Sequence, residues 1–154
     1  MDRKEFIAQA GKGAAFALFA GCLFACKKEK KEETGPTPSL DVDFTIDLND
    51  PANGDLQDSN IGYKVFSGNI IIAKTTSGSY IAATNICTHQ KNPAITFLPT
   101  NSSGSAMNQF LCMEHQATFD ANGKGLPGPD NLVLGTTLKT YHTSLNNNKL
   151  RIYS

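Results

Sequence analysis

The sequence has no tryptophan, only four cysteines and three histidines, and no excess of charge of either sign. Because the formal net charge is +0, the basic footprint of a nucleic-acid-binding protein is missing, and no nucleic-acid partner is predicted. The 154 residues are too few for a large catalytic domain beside a second module. They carry no internal repeat, and they predict a single domain that can bury an ordinary core.

Helical periodicity is also missing after residue 40. The stretch LDVDFTIDL, residues 40–48, instead alternates apolar residues with acids or threonine, which is the pattern of a half-buried strand. Later apolar runs are separated by short Ser, Gly and Asn segments at residues 67–69, 77–79 and 146–148, which are typical of hairpin turns. These features predict a compact antiparallel all-β domain over residues 40–154.

Residues 1–25 predict a signal peptide rather than part of the fold. Arg3 and Lys4 form a positive start, and the apolar run that follows is shorter than the roughly 20 residues needed to span a bilayer. The run ends at a cysteine with charged residues immediately after it, and so resembles a bacterial lipoprotein signal, in which that cysteine is lipidated. Cys26 is the predicted lipidation site, because a leucine lies three residues before it and the polar switch is abrupt; Cys22 is the alternative.

The start of the chain also offers two export routes. The stretch RKEFI, residues 3–7, resembles a twin-arginine export motif with lysine in place of the second arginine, and an ordinary charged start is the alternative. Residues 26–39 are charged and then rich in Pro, Thr and Gly, which predicts a flexible tether between lipid anchor and domain. We therefore expect an extracytoplasmic domain held to a bacterial membrane through its lipid.

Two short Cys-His boxes carry the clearest chemistry. Cys87 and His89 lie in NICTHQKNP, and Cys112 and His115 lie in FLCMEHQATFD. An exported domain could join the two cysteines in a disulfide, which would leave both histidines unexplained. Two thiolates and two imidazoles also satisfy tetrahedral zinc, although the spacing is unlike that of zinc fingers. The third interpretation is a [2Fe–2S] cluster in which the cysteines bind one iron and the histidines the other.

From about residue 63 to residue 153 the sequence resembles a Rieske [2Fe–2S] domain. The resemblance is carried by both boxes and by the segment HQATFDANGKGLPGPD that begins at the second histidine. In that family the second-box histidine is followed by an aromatic residue, an aspartate, a glycine turn and a Gly-Pro loop that shields the cluster. The matching residues are Phe119, Asp120, Gly123, Gly128 and Pro129.

The resemblance implies an antiparallel Rieske-type β sandwich with a cluster-binding subdomain made of two loops. It also implies one [2Fe–2S] cluster per chain and a one-electron carrier that works with a separate, unidentified redox protein. The implied cluster ligands are Cys87, His89, Cys112 and His115, and the residues expected around the cluster are Ala117, Phe119, Gly128 and Pro129. The histidine ends are expected to face solvent, and the loop over residues 126–130 to cover the opposite flank.

The departures from the family bear on the reduction potential. Rieske proteins of respiratory complexes carry an extra cysteine in each box, joined by a disulfide, and often a serine and a tyrosine whose hydroxyls donate towards sulfur. This chain has no such cysteine, and the serine and tyrosine positions hold Ala117 and Phe119. Because fewer donors stabilise the reduced cluster, a potential near the low end of the Rieske range is predicted.

The third histidine, His142, lies in an alternating stretch and is expected to be an exposed strand residue with no ligand role. With both boxes used for a cluster, no histidines remain for the non-haem iron triad that oxygenases use. The chain is therefore expected to act as an electron carrier, or as the redox subunit of a larger oxidoreductase, rather than as an enzyme alone.

Overall fold

The computed structural model describes residues 41–154. The predicted signal peptide, the tether and the two candidate lipidation cysteines, Cys22 and Cys26, lie outside the described residues. Residues 41–154 contain nine strands and two short 3-10 helices. In chain order these are β1 (Asp43–Asp47), a 3-10 helix (Pro51–Leu56), β2 (Tyr63–Phe66), β3 (Ile70–Lys74), β4 (Tyr80–Thr84), β5 (Ile95–Thr100), β6 (Ala106–Cys112), β7 (Thr118–Phe119), a 3-10 helix (Pro129–Asn131), β8 (Thr140–Asn146) and β9 (Lys149–Tyr153). No helix in this part of the chain is long and apolar enough to cross a membrane.

The strands form two antiparallel sheets, which confirms the predicted fold class. The larger sheet has six strands in the order β1-β9-β8-β4-β3-β2, and the smaller has three in the order β5-β6-β7. The first Cys-His box lies between β4 and β5, and the second lies between β6 and β7. The smaller sheet and its two connecting loops therefore make up the predicted cluster-binding subdomain.

All three predicted hairpin turns are present. Gly68 and Asn69 join β2 to β3 with φ angles of 77° and 57°, and Asn147 and Asn148 join β8 to β9 with φ angles of 46° and 62°. The third turn, residues 77–79, joins β3 to β4. Glycine and asparagine tolerate positive φ best, and two successive positive φ angles match the right-handed twist of a two-residue hairpin.

The predicted alternation over residues 40–48 is confirmed in β1. Its exposed acids pair across the sheet with the C-terminal strand: Asp43 lies 2.6 Å from Arg151, and Asp47 lies 2.6 Å from Lys149. Antiparallel pairing with β9 places these side chains opposite or nearly opposite each other. The buried apolar residues of this segment are Val42, Ile46 and Leu48.

Strand β3 separates two hydrophobic clusters, because all its apolar residues are buried on alternate faces. Ile70 and Ile72 belong to a cluster within the larger sheet, whereas Ile71 belongs to one shared with the smaller sheet. That shared cluster also contains both box cysteines, Cys87 and Cys112. The two thiols are therefore packed into the core between the sheets.

Candidate metal centre

The first box lies in a tight loop whose backbone bonds return to the cysteine. The N–H of Cys87 donates to the carbonyl of Asn92 over 2.8 Å, and the carbonyl of Cys87 accepts from the N–H of Lys91 over 3.0 Å. Lys91 has a φ of 60°, which turns the chain back. An isolated bridge between Ile86 and Pro93 closes the base of the loop. The cysteine backbone is thus fixed on both sides.

The second box repeats this arrangement. The N–H of Cys112 donates to the carbonyl of Ala117 over 2.8 Å, and its carbonyl accepts from Gln116 over 2.9 Å. Gln116 has a φ of 55°, and Leu111 pairs with Thr118 at the base. Each cysteine thus bonds to positions 4 and 5 residues ahead, since 91 and 92 follow 87 as 116 and 117 follow 112. Two loops of like construction present their ligands towards each other.

The four predicted ligand residues meet where these loops face each other. One ligand atom each from Cys87, Cys112 and His115 lie within 4.8 Å of one another. The Sγ of Cys112 is 3.6 Å from Nδ1 of His115. The ring of His89 lies edge-on to the ring of His115, with centroids 4.6 Å apart. Within residues 41–154, the group of Cys87, Cys112 and His115 is the one set of three or more such side chains close enough to share a metal.

Solvent exposure increases across the site from the cysteine side chains to the histidine rings. Cys87 and Cys112 are 0% exposed, His115 is half-buried and His89 is exposed. The sulfur side of a bound group would therefore lie in the core, and the imidazole side would lie at the surface. His89 faces solvent, whereas His115 is only partly exposed.

Burial also sets the acidity of the first thiol. Burial first, and the neighbouring sulfur of Cys112 second, raise the pKa of Cys87 to about 11 against the opposing effect of the backbone N–H groups of His89 and Gln90. The thiol is therefore protonated at neutral pH without a metal, and metal binding must release its proton. Both cysteines are free thiols in the structure, so it gives no support to the disulfide interpretation.

The segment after the second box packs behind the ligands. Ala117 is 2% exposed and Phe119 is 0% exposed, and neither side chain carries a hydroxyl. Gly128 is exposed, with an extended φ of −167°, and precedes the 3-10 helix that begins at Pro129. A Cβ added at Gly128 would lie 4.0 Å from Oγ1 of Thr118, next to the second box.

A residue beyond the Gly-Pro loop contacts the first box. The hydroxyls of Thr88 and Thr136 lie 3.1 Å apart, and Thr136 also donates to the carbonyl of Val133 over 2.8 Å. Gly125 donates to the carbonyl of Thr136, and a Cβ at Gly125 would lie only 1.9 Å from the carbonyl oxygen of Val133. No sequence motif marked Thr136, because its partner lies 48 residues away.

Two direct links join the loops beyond their strands. The N–H of Met113 donates to the carbonyl of Ala94 over 2.9 Å, and Nδ2 of Asn92 donates to Oε2 of Glu114 over 2.7 Å. No sequence motif marked Asn92. His142 takes no part: it is exposed on β8, as predicted, and its ring lies against Tyr153 at 5.2 Å between centroids.

Two buried sulfurs beside two imidazoles form the mixed donor set that a [2Fe–2S] group with one sulfur-bound and one nitrogen-bound iron requires. A model of the Rieske [2Fe-2S] domain family matches residues 49–142, which is more than half of the chain. The chain belongs to the Rieske [2Fe-2S] domain family. Its cofactor is accordingly a [2Fe–2S] cluster, and this Rieske protein is an electron carrier.

Two solved structures are similar to this Rieske protein. The ferredoxin of carbazole 1,9a-dioxygenase from Nocardioides aromaticivorans IC177 has a TM-score of 0.50 and 18% identity over 74% of this chain and 97% of its own. The cyanobacterial plasma membrane Rieske protein PetC3 from Synechocystis PCC 6803 has a TM-score of 0.46 and 25% identity over 66% of this chain and 93% of its own. The similarity to the ferredoxin supports the fold alone. No curated protein sequence matches the chain significantly.

Proposed function

We propose that this Rieske protein is a low-potential one-electron carrier, tethered by a lipid to the extracytoplasmic face of a bacterial membrane. In this proposal Cys87, His89, Cys112 and His115 hold the cluster. The observation that carries the ligand assignment is the meeting of two fully buried thiols with two imidazoles at the tips of two like-built loops. When it is bound, the cluster can accept or release one electron at its iron atoms.

In this proposal the cysteines and the histidines bind the cluster from opposite sides. Cys87 and Cys112 bind from the core, where the packed side chains keep water from the sulfur side. His89 and His115 bind from the surface, so their outer ring edges are the parts that a redox partner can reach. Met113, which is 56% exposed beside them, adds an apolar contact for a separate redox protein.

The low potential is proposed from what surrounds the second box. Ala117 and Phe119 are buried and carry no hydroxyl, so neither side chain can donate a hydrogen bond to sulfur. Since such donors stabilise the more negative, reduced cluster, their loss favours a potential of about −150 mV, at the low end of the Rieske range.

The first test is on the full chain purified without oxygen. Iron content and the visible spectrum are measured, followed by an electron paramagnetic resonance spectrum after dithionite reduction. We expect two irons per chain, colour, and a reduced-state signal of mixed His/Cys ligation. A colourless, iron-free protein from cells that load other iron–sulfur proteins would contradict the proposal, and a midpoint well above zero would contradict the low potential.

The lipid anchor is proposed from the apolar run and its terminal cysteine. Cys26→Ser and Cys22→Ser form a matched pair, because each removes one candidate thiol four residues from the other. We expect Cys26→Ser to abolish labelling by a radioactive fatty acid and to release the domain from the membrane fraction. Loss of labelling only in Cys22→Ser would assign the lipid to Cys22 instead. A parent protein that takes up no label would contradict the lipid anchor.

A further inference from the structure

The two ligand loops are held to each other by different kinds of bond along their length. At the base, Ile95 pairs with Cys112 as part of the β5–β6 ladder. One step outward, the N–H of Met113 donates to the carbonyl of Ala94. The next residue outward, Pro93, forms its bridge with Ile86 on the other side of the strand, and among the described residues no backbone bond joins the two loops further out.

A side-chain hydrogen bond takes over where the ladder stops. Nδ2 of Asn92 donates to Oε2 of Glu114 over 2.7 Å, which is short for an N–H···O bond and typical of a charged acceptor. Asn92 is half-buried and Glu114 is exposed, so water competes for both groups and the bond is of modest strength.

This bond joins two residues that are each linked directly to a proposed ligand residue. The carbonyl of Asn92 fixes the backbone N–H of Cys87, and Glu114 lies between Met113 and His115 in the second box. If the bond from Met113 to Ala94 were the outermost link, the outer parts of the two loops could rotate about this bond. The bond from Asn92 to Glu114 is a second link further out, and it restricts that rotation.

We propose that the Asn92–Glu114 hydrogen bond is a noncovalent clasp that keeps the two loops closed on the cluster. Asn92 and Glu114 are then positioning residues for cluster retention, in a protein whose two box cysteines are free of any disulfide. The inference rests on the proposed ligand set, and it adds two residues that touch no ligand atom.

The test follows loss of visible absorbance from the loaded full chain after a chelator is added without oxygen. Asn92→Leu removes the donor at constant charge, and Asn92→Asp places two carboxylates against each other. We expect cluster loss to be about threefold faster with Asn92→Leu and about tenfold faster with Asn92→Asp, since tenfold corresponds to roughly 1.4 kcal/mol. The double variant Asn92→Asp/Glu114→Gln exchanges donor and acceptor, and its rate should return to within about twofold of the parent.

Asn101→Asp is the charge control. The side-chain oxygen of Asn101 accepts from the N–H groups of Ser103 and Ser105 in the β5–β6 turn, a role that a carboxylate keeps. Its rate of cluster loss should equal that of the parent. Amide hydrogen exchange locates the effect: the Met113 amide should exchange faster in Asn92→Asp and recover in the double variant, while the Ile71 amide in β3 stays protected.

The outcomes separate the clasp from the proposed function. A parent protein that never binds iron overturns the proposed function itself. A loaded parent with unchanged rates in Asn92→Leu overturns the clasp and leaves the carrier intact. A rate that rises in Asn92→Asp but is not restored in the double variant also overturns the clasp, because the exchanged pair can still bond.

Discussion

The ring of His89 lies edge-on to the ring of His115, with centroids 4.6 Å apart and planes at 85°. The two residues come from separate loops and are joined by no backbone bond of their own. Their closeness follows from the pairing of β5 with β6, which brings the loops together at one end of the smaller sheet. One cofactor can therefore contact both imidazoles.

The first prediction concerns His89→Ala. Because His89 is exposed, its loss should change the stability of the cluster-free fold by no more than about 0.5 kcal/mol. As a proposed ligand, however, its loss should reduce bound iron from two per chain to nearly none and remove the colour. Iron analysis and the visible spectrum measure this. His142→Ala, also at an exposed histidine, should keep both, and retention of full colour by His89→Ala would contradict the ligand assignment.

The second prediction concerns the missing hydroxyls. Ala117→Ser together with Phe119→Tyr should raise the midpoint potential, because new donors would stabilise the reduced cluster more than the oxidised one. A hydrogen bond that strengthens by about 1.5 kcal/mol on reduction corresponds to roughly 60 mV. A spectroscopic redox titration measures the shift. Ala106→Ser, at the exposed start of β6, should leave the midpoint in place, and an equal or lower midpoint in the double variant would refute the explanation.

The third prediction concerns Gly125. An added methyl group would lie 1.9 Å from the carbonyl oxygen of Val133, a rigid backbone atom, so the loop carrying Thr136 must shift. Gly125→Ala should destabilise the domain by at least about 3 kcal/mol and lower its melting temperature by about 10 °C or more. Gly54→Ala is the matched control, because nothing lies within 4 Å of its added Cβ. Equal melting temperatures for the two variants would contradict the packing described.

The fourth prediction concerns acid stability at the edge of the larger sheet. Hydrogen bonds from Arg151 and Lys149 lower the pKa of Asp43 and of Asp47. A carboxylate with a lowered folded-state pKa stabilises the fold above its ordinary value of about 3.9, and this contribution is lost as the pH falls through the folded-state pKa.

Unfolding by urea between pH 6 and pH 3 tests this at low salt. The parent should lose stability faster on acidification than Asp43→Asn/Asp47→Asn, and the difference should shrink in high salt because both pairs are exposed. Parallel pH profiles for the two proteins would show that the pairs contribute nothing.

The all-β fold could be predicted because its signals are local. Alternation over residues 40–48 follows from the two-residue period of a strand, and Gly68, Asn147 and Asn148 mark turns because they tolerate positive φ. The 3-10 helix over Pro51–Leu56 was not predicted, although Asp50 caps it through a bond to the N–H of Ala52 and a proline begins it. A 3-10 helix of six residues is too short for its periodicity to stand out from a loop.

The site was predictable in its chemistry but not in its supports. The residue types and spacing of the two boxes pointed to mixed sulfur and nitrogen ligation before any fold was known. The bond from Asn92 to Glu114 and the contact of Thr88 with Thr136 were not predictable, because each joins residues far apart in sequence. Such pairs depend on strand register and loop conformation, which no local pattern specifies.

The sequence by itself determined the donor atoms, the turns and the alternation of buried and exposed side chains, since these depend on residue type and on neighbours a few positions away. The tertiary structure decided which faces meet. It buried Cys87 and Cys112 in the core between the sheets and left His89 at the surface. It also ended the backbone bonds between the two ligand loops at Ala94 and Met113, so that their outer parts are joined by a side-chain bond from Asn92 to Glu114.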